Sequence, residues 1–275
     1  MLDEKMVLYL EEQKKTEFKF KDANKLELAD KLIENIGVLD SELRDGLVYP
    51  CLAHLLHDGH FDSDQLTDFT KRLIGHEFLL FDLDNDIEFS VLVRSFTLLQ
   101  LSILVYVHNK DKVIDSDVVR ELFVSFLDYF DREENLMGYK ETVGWMHSIA
   151  HSADLFAQLV KVEDFKDTEL KTMFAAISKK FKQKEYYFQH DEDERMVQAI
   201  MNGLERDLLD EEFLVEWVGS FGTYKKITDY PEAYYLTNNI KNFLRSLYFA
   251  LLDNEKYDYL VKEIALVLKE KVGLR

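Results

Sequence analysis

The chain has 275 residues, and its hydrophobic (47%) and charged (32%) fractions are those of a folded protein rather than a disordered one. With two prolines and ten glycines, the composition excludes a turn-rich β fold and favours helices. The formal net charge of −19 disfavours sequence-independent binding to nucleic acid or to an anionic membrane, because most of the surface repels polyanions.

The cysteine content and the amino terminus bear on the cellular location. Cys51 is the single cysteine, so no internal disulfide can form, which is compatible with a reducing cytoplasm. The amino terminus lacks the basic segment and apolar core of a secretory signal. The longest apolar run, from Val91 to Val107, is interrupted by Arg94 and Gln100, and we interpret it as a buried central helix. We therefore expect a cytoplasmic protein.

Helix start and stop signals divide the chain into helical segments, and no stretch alternates clearly enough to predict a strand. An amphipathic helix is predicted over residues 1–15, and a second from about Asn24 to Gly37. A third, capped by Asp40 or Ser41, contains Pro50, where we expect a kink or local break. The other predicted helices cover residues 62–75, 89–107, 115–131, about 138–156, 167–182, 190–208, 210–221, 231–252 and 255–272, with an irregular acidic segment between 76 and 88.

A repeat relates these helices to one another. Its marker positions are separated by 50, 50, 51 and 50 residues: Arg44, Arg94, Gly144, Arg195 and Arg245. Each marker opens an apolar run in the second helix of a pair. The pattern predicts an all-α fold of stacked helix pairs, a HEAT-like α-solenoid with about five repeats of roughly 50 residues. An irregular helical bundle is the alternative.

We predict one domain over residues 1–275, in which an N-terminal helix and connector (1–22) precede the helical array (23–275). In such an array equivalent helices line one surface, so the repeat arginines would form a ladder along an inner groove. A locally basic groove would concentrate small anions or acidic peptide ends despite the acidic surface. The alternative is that each arginine pairs internally, Arg44 with Asp45 or Glu42 and Arg195 with Asp193 or Glu192.

The predicted helix around residue 147 carries the main constellation of polar side chains. At 100° per residue, six positions fall within a stripe about 80° wide: Lys140, Gly144, His147, His151, Asp154 and Gln158. Three of them, together with the repeat arginines, Trp145 and Asp193, define the predicted ligand groove. Its residues are Arg44, Arg94, Trp145, His147, His151, Asp154, Asp193, Arg195 and Arg245.

His147 and His151 are also candidate metal ligands. Their spacing lets two imidazoles from one helix reach one ion about 2 Å from each. Asp154 is better placed to orient His151 than to complete the same site, and a third ligand could come from His190, Glu192 or Asp193. No glutamate follows His147 as a metalloprotease helix requires. The sequence therefore commits to no metal or other cofactor. Structural histidines are the alternative to a divalent ion.

Several of these segments together resemble a known bacterial family, the domain of unknown function 2785. The segments are Glu42-Leu43-Arg44-Asp45 with Tyr49-Pro50, Arg94-Ser95-Phe96, Gly144-Trp145 with His147, Ala150, His151 and Ala153-Asp154-Leu155, and Glu192-Asp193-Glu194-Arg195. The resemblance runs from about residue 30 to the end. Where the family pattern has an arginine before its Gly-Tyr pair, this chain has Met137. The family implies a single domain and no established activity.

These observations predict a cytoplasmic binding or scaffold protein whose inner groove holds an anionic small molecule or a peptide segment. The alternative is a metal-assisted hydrolase that uses the His147/His151 pair with a carboxylate from the following repeat. A third hypothesis is a helper protein that docks a partner protein on its whole concave surface. The sequence leaves the oligomeric state and the identity of the ligand open.

Overall fold

The computed structural model describes residues 2–21, 24–85 and 87–273. Nearly all regular structure in these ranges is helical, which confirms the predicted all-α class. The helices are α1 (Glu4–Lys15), α2 (Lys25–Ile33), α3 (Ser41–Leu43), α4 (Tyr49–His57), α5 (Ser63–Leu73), α6 (Ser90–Asp111), α7 (Ser116–Arg132), α8 (Ser148–Leu159), α9 (Asp167–Phe181), α10 (Glu192–Leu204), α11 (Glu211–Ser220), α12 (Glu232–Leu251) and α13 (Asp258–Leu266). Two short strands, β1 (Tyr139–Lys140) and β2 (Gly144–Trp145), precede α8.

Side-chain caps explain why most helices begin where the sequence predicts. The side chains of Asn24, Asp40, Asp62 and Asp115 each accept a hydrogen bond from a backbone amide in the first turn of the helix that follows. At Asp62 the bond is reciprocal, because Gln65 accepts from the Asp62 amide. These caps satisfy amides that no helical carbonyl can reach.

The predicted irregularity at Pro50 takes the form of a π-helical turn, Arg44–Val48, directly before α4. Pro50 has no amide hydrogen, so the carbonyl of Gly46 loses its helical donor. The ammonium group of Lys14 on α1 donates to that carbonyl at 3.1 Å. A long side chain from another helix thus replaces the missing backbone donor.

The chain forms two compact units, Met1–Leu155 (unit 1) and Phe156–Arg275 (unit 2). Within unit 1, α4 packs on α2 and α6, and α5 packs on α6 and α7. Within unit 2, α9 packs on α10 and α11, α10 packs on α12, and α13 packs on α11 and α12. In each unit a helix therefore packs both on a helix adjacent in sequence and on one further along the chain. The predicted single domain stays a prediction.

Each unit has its own apolar core. In unit 1, α6 contributes Leu92, Leu98 and Leu104, which are fully buried. Among the described residues α6 is long and apolar enough to cross a membrane, but 78% of its most apolar window is buried inside the protein. It is thus the buried central helix that the sequence predicted. In unit 2, the rings of Phe181 and Phe243 lie 4.6 Å apart at the centre of an aromatic cluster.

Candidate functional site

The segment before α8 is a β ribbon. Strands β1 and β2 pair antiparallel, with Tyr139 opposite Trp145. Gly144 has a φ of 76°, and a Cβ there would lie 2.9 Å from the Cβ of Ser41. Both observations require glycine at position 144, because other residues rarely adopt this φ and Ser41 leaves no room for a side chain there. The prediction that a helix includes this segment is therefore wrong, and α8 begins at Ser148.

His147 lies between the ribbon and α8, with a left-handed φ of 44°. Its carbonyl accepts from the His151 amide at 2.8 Å, so the backbone enters the helix there. The imidazole of His147 stacks on the Trp145 indole at 4.3 Å and meets the ring of His151 edge-on at 5.6 Å. The two histidines are thus neighbours, as predicted, although one of them precedes the helix.

His151 is 6% exposed and is held by Ser95 on α6. Its Nδ1 lies 2.9 Å from the Ser95 hydroxyl and 3.1 Å from the Ser95 carbonyl. The hydroxyl donates to the carbonyl of Met146. Because that donation uses the hydroxyl proton, Nδ1 of His151 must carry the proton that it shares with Ser95. This buried serine and histidine therefore join α6 to the ribbon, and they are not arranged as a nucleophile and its base.

In the described part of the chain, no third ligand joins His147 and His151 to form the predicted metal site. Asp154 is half-buried on α8, where its carbonyl accepts from the Ser102 hydroxyl at 3.4 Å. The Ser95 hydroxyl contacts Nδ1 of His151, and the role predicted for Asp154 in orienting His151 stays a prediction. Within the described ranges, no group of three or more His, Cys, Asp or Glu side chains is arranged to hold a metal ion. The geometry therefore gives the hydrolase alternative no supporting observation.

Arg44 is a buried structural residue of unit 1, with no exposed side-chain surface. Its guanidinium donates to the carbonyl of Val38 at 3.0 Å, to that of Val143 at 2.7 Å and to the Asp45 carboxylate at 3.1 Å. It also lies over the Phe96 ring at 4.7 Å. Burial lowers the pKa of Arg44, and Asp45 opposes that effect. The ion pair with Asp45 is the internal pairing predicted as the alternative.

Arg94 on α6 is also paired internally. Its Nε and Nη2 donate to the two carboxylate oxygens of Glu133 at 2.7 and 2.9 Å. Its Nη1 donates to the carbonyl of Phe81 and the hydroxyl of Ser90, both at 2.8 Å. Burial alone would lower the pKa of Arg94, but Glu133 outweighs that effect and raises it. Arg44 and Arg94 thus face the interior, which corrects the prediction that both guanidinium groups line an open groove.

In unit 2, two predicted residues line one cleft of about 480 Å³ between α10 and α12, which we call the α10/α12 cleft. Asp193 is on its α10 side, where it accepts from the Ser246 hydroxyl at 2.6 Å. Arg245 is exposed on its α12 side. Arg195, also on α10, is half-buried and interacts with another residue. The remaining cleft residues are Glu194, Val197, Gln198, Met201, Asn242, Phe249 and Ala250.

Two residues of α12 that the sequence analysis missed are Phe249, which lines this cleft, and Lys241, which lies one turn before Arg245. Phe249 is 70% exposed, although most phenylalanines of the chain are buried. Lys241 precedes Arg245 by one helical turn, and its pKa is lowered by burial and then by the charge of Arg245. Neither cation forms an ion pair with a carboxylate in the described part of the chain. The spacing of these three residues on one helix face was a signal available in the sequence.

Glu192 begins α10 and is 1% exposed. Its Oε2 accepts from the His190 amide at 2.7 Å. Burial raises the pKa of the Glu192 carboxyl above its ordinary value of 4.5, and the backbone hydrogen bonds only partly oppose this. A carboxyl with a raised pKa in the folded state destabilises the fold once it ionises.

We expect Glu192→Gln to stabilise unit 2 relative to the parent, and only above the ordinary pKa of the carboxyl. Well below pH 4.5 both side chains are neutral, whereas at neutral pH only the parent buries a charge. The gain at pH 7.5 should be up to about 1 kcal/mol, because the amide oxygen still accepts from His190. Urea unfolding, followed by Trp217 fluorescence in a Trp145→Phe background, measures it.

Glu194, an exposed glutamate near Glu192, supplies the matched control for the urea unfolding of Glu192→Gln. Glu194→Gln should show no comparable gain, since Glu194 is solvated on the same turn of α10. An effect of Glu192→Gln that is the same at about pH 4 and pH 7.5 would contradict the assigned cause.

The family model described as "Protein of unknown function (DUF2785)" matches residues 79–249, which is more than half of the chain. The chain belongs to this family. The match confirms the resemblance seen in the sequence, and its span includes the histidine pair of unit 1 and most of the α10/α12 cleft. No curated protein and no solved structure matches the chain. The family description assigns no activity, so function has to be argued from the geometry.

Proposed function

We propose that this protein is a cytoplasmic binding or scaffold protein, and that its α10/α12 cleft holds an anionic group of a small molecule or of a peptide segment. The observation that carries the proposal is Arg245, an exposed cation in the cleft that has no carboxylate partner among the described residues. The chain has 53 acidic and only 34 basic residues, so a cation in the wall of a cleft contrasts with a surface that is acidic overall.

Two further features support a ligand at this cleft. Lys241 and Arg245 are like charges one helical turn apart, and such a pair destabilises an isolated helix by a few tenths of a kcal/mol. A bound anion would offset this repulsion. Phe249 and Met201 supply apolar surface beside these charges. A site with an apolar wall and a few polar groups suits a ligand with both properties.

We further propose that the helix pairs of each unit are HEAT-like repeats of roughly 50 residues, about five of them along the chain. The support is a set of hydrogen bonds that join residues 52 or 53 positions apart within a unit. Ser102 donates to the carbonyl of Asp154 (52 apart), Ser246 donates to Asp193 (53 apart), and Tyr257 donates to the carbonyl of Leu204 (53 apart). The cleft then lies between the second helices of two successive repeats.

A methyl-labelled titration tests the binding proposal. Met201 lines the cleft, whereas Met137 lies in unit 1, so the two methyl signals report on binding and on non-specific effects. Adding citrate, inorganic phosphate or a mixture of acidic peptides should move the Met201 signal and leave the Met137 signal unchanged. Arg245→Gln should weaken the response about tenfold or more, because a charge-assisted hydrogen bond contributes about 1.5–3 kcal/mol.

Lys262→Gln is the matched control, since Lys262 is an exposed cation on α13 that does not line the cleft. This variant should bind like the parent. If neither anions nor acidic peptides move the Met201 signal, or if both variants lose the response equally, the proposed function is wrong.

A further inference from the structure

The exposed face of α12 continues beyond the cleft in both directions. At 100° per residue, Tyr234, Lys241, Arg245, Phe249 and Leu252 fall within a stripe about 80° wide, which we call the α12 stripe. Tyr234, Phe249 and Leu252 are 45%, 70% and 44% exposed. The stripe therefore has Tyr234 at one end, Phe249 and Leu252 at the other, and two cations between them.

Neighbouring side chains hold the Tyr234 end of the stripe in place. The Tyr234 ring packs edge-on against Tyr187 at 5.7 Å. The hydroxyl of Tyr187 accepts from the Asn242 amide at 3.1 Å, and Asn242 lines the cleft. The aromatic end and the cleft thus form one surface. Exposed, well-supported tyrosines are typical of the residues that dominate protein interfaces.

We infer that the α12 stripe binds a partner protein through an extended peptide segment with an apolar residue near each end and acidic residues between them. This inference rests on the proposed function, because it uses the α10/α12 cleft as part of the binding surface. Charge complementarity decides the occupant: Lys241 and Arg245 have no carboxylate partner in the described residues and so favour an anionic segment, while the exposed apolar ends favour apolar side chains.

The helical rise fixes the length of such a segment. Tyr234 and Phe249 are 15 residues apart, or about 22 Å along the helix axis. An extended peptide covers that distance in about seven residues. By the same measure, Lys241 lies about 10 Å and Arg245 about 16 Å from Tyr234, opposite roughly the third and fifth residues after the first apolar anchor.

A second copy of this chain does not fit the stripe. In a two-fold symmetric pair the same surface meets itself, so the central cations of one α12 would face those of the other. Like charges brought together in this way disfavour association. A nucleic acid or an anionic membrane would supply negative charge, but the net charge of −19 repels an extended polyanion. An acidic peptide of limited length remains as the occupant.

The test uses two labelled peptides and the full-length protein. The acidic probe is Leu-Ser-Ser-Glu-Ser-Glu-Ser-Leu, and its neutral counterpart has glutamine at both glutamate positions. Both peptides are also made in reversed order, because the direction of binding is not set by charge. Fluorescence polarisation should show the acidic probe binding at least about tenfold more tightly than the neutral one.

Charge reversal then tests which residues recognise the acidic centre. In the double variant Lys241→Glu/Arg245→Glu, the acidic probe should lose binding, and a probe with lysine at both glutamate positions should gain it. Phe249→Ala should weaken the acidic and neutral probes equally. Leu266→Ala, an exposed apolar residue of α13 outside the stripe, should change neither. Circular dichroism verifies that each variant is folded.

Two results would overturn the inference. One is equal binding of the acidic and neutral probes in both orders, and the other is no binding of any peptide. The Met201 titration on the same sample separates these results from failure of the proposed function. If citrate or phosphate shifts the Met201 signal but no peptide does, the cleft is an anion site as proposed and the inferred peptide partner is wrong.

Discussion

Arg44→Lys should reduce the free energy of unfolding of unit 1 by about 3 kcal/mol or more, and Arg44→Ala by about 3–5 kcal/mol. The guanidinium has carbonyl partners in two segments that are about a hundred residues apart, Leu39 on one side and Val143 and Trp145 on the other. A lysine ammonium keeps the charge but cannot reach all of these acceptors, because its donors lie on one atom. The acceptors left without a donor would then be buried and unsatisfied.

Two measurements separate this role from a general loss of stability. Hydrogen–deuterium exchange should increase in residues 36–48 and 138–147, the two segments that Arg44 joins, more than in unit 2. Urea unfolding should show the loss of free energy. The matched control is Arg72→Lys, which affects a half-exposed ion pair with Asp30 in the same unit and should cost less than about 1 kcal/mol. Equal losses for the two arginines would show that burial of Arg44 has no special role.

Glu133→Gln should destabilise unit 1 by about 3–5 kcal/mol, because it leaves the buried Arg94 without a countercharge. The side chains of Arg94 and Glu133 are only 4% and 1% exposed, so water cannot replace the lost carboxylate. Glutamine offers one acceptor oxygen, while its amide would face the N–H groups of Arg94. Oε1 of Glu133, which accepts from Nη2 of Arg94, also accepts from the Asn135 backbone amide at 3.0 Å. The turn after α7 should therefore loosen as well.

A double-mutant cycle tests whether the charge, rather than the side-chain volume, causes this loss. Arg94→Met/Glu133→Gln removes both charges, and we expect it to be more stable than Glu133→Gln alone. Arg132→Gln is the control, since Arg132 forms exposed ion pairs with Asp84 and Asp128 and should cost about 1 kcal/mol or less. If the double variant loses the full sum of the single losses, the buried pair does not act as a unit.

The helices of this protein could be predicted closely because local interactions set their ends. Asp62 and Asp115 accept hydrogen bonds from backbone amides within the next three residues. Each cap and the amide that it satisfies are therefore visible in one short stretch of sequence. Pro50 is predictable in the same way, since the missing amide is a property of the residue itself. That Lys14 would replace the missing donor was not predictable, because it comes from a different helix.

The β ribbon before α8 shows where local pattern reading failed. Apolar spacing around Gly144 and His147 is compatible with a helix, and nothing nearby in the sequence indicates that Ser41 lies against the glycine. The contact between Ser95 and His151 spans 56 residues and has no sequence signature. Only the packing of α6 beside α8 brings these groups together.

The sequence by itself determined the helical class and most helix ends, because these depend on side chains within a few residues of each other. It did not determine which way each arginine faces. Arg44 and Arg94 turn inward, where carbonyls and Glu133 offset the cost of burying their charge, whereas Arg245 stays in solvent beside a cleft. Tertiary structure decides this, because the free energy of a charged side chain depends on whether distant segments supply it with partners or leave it in water.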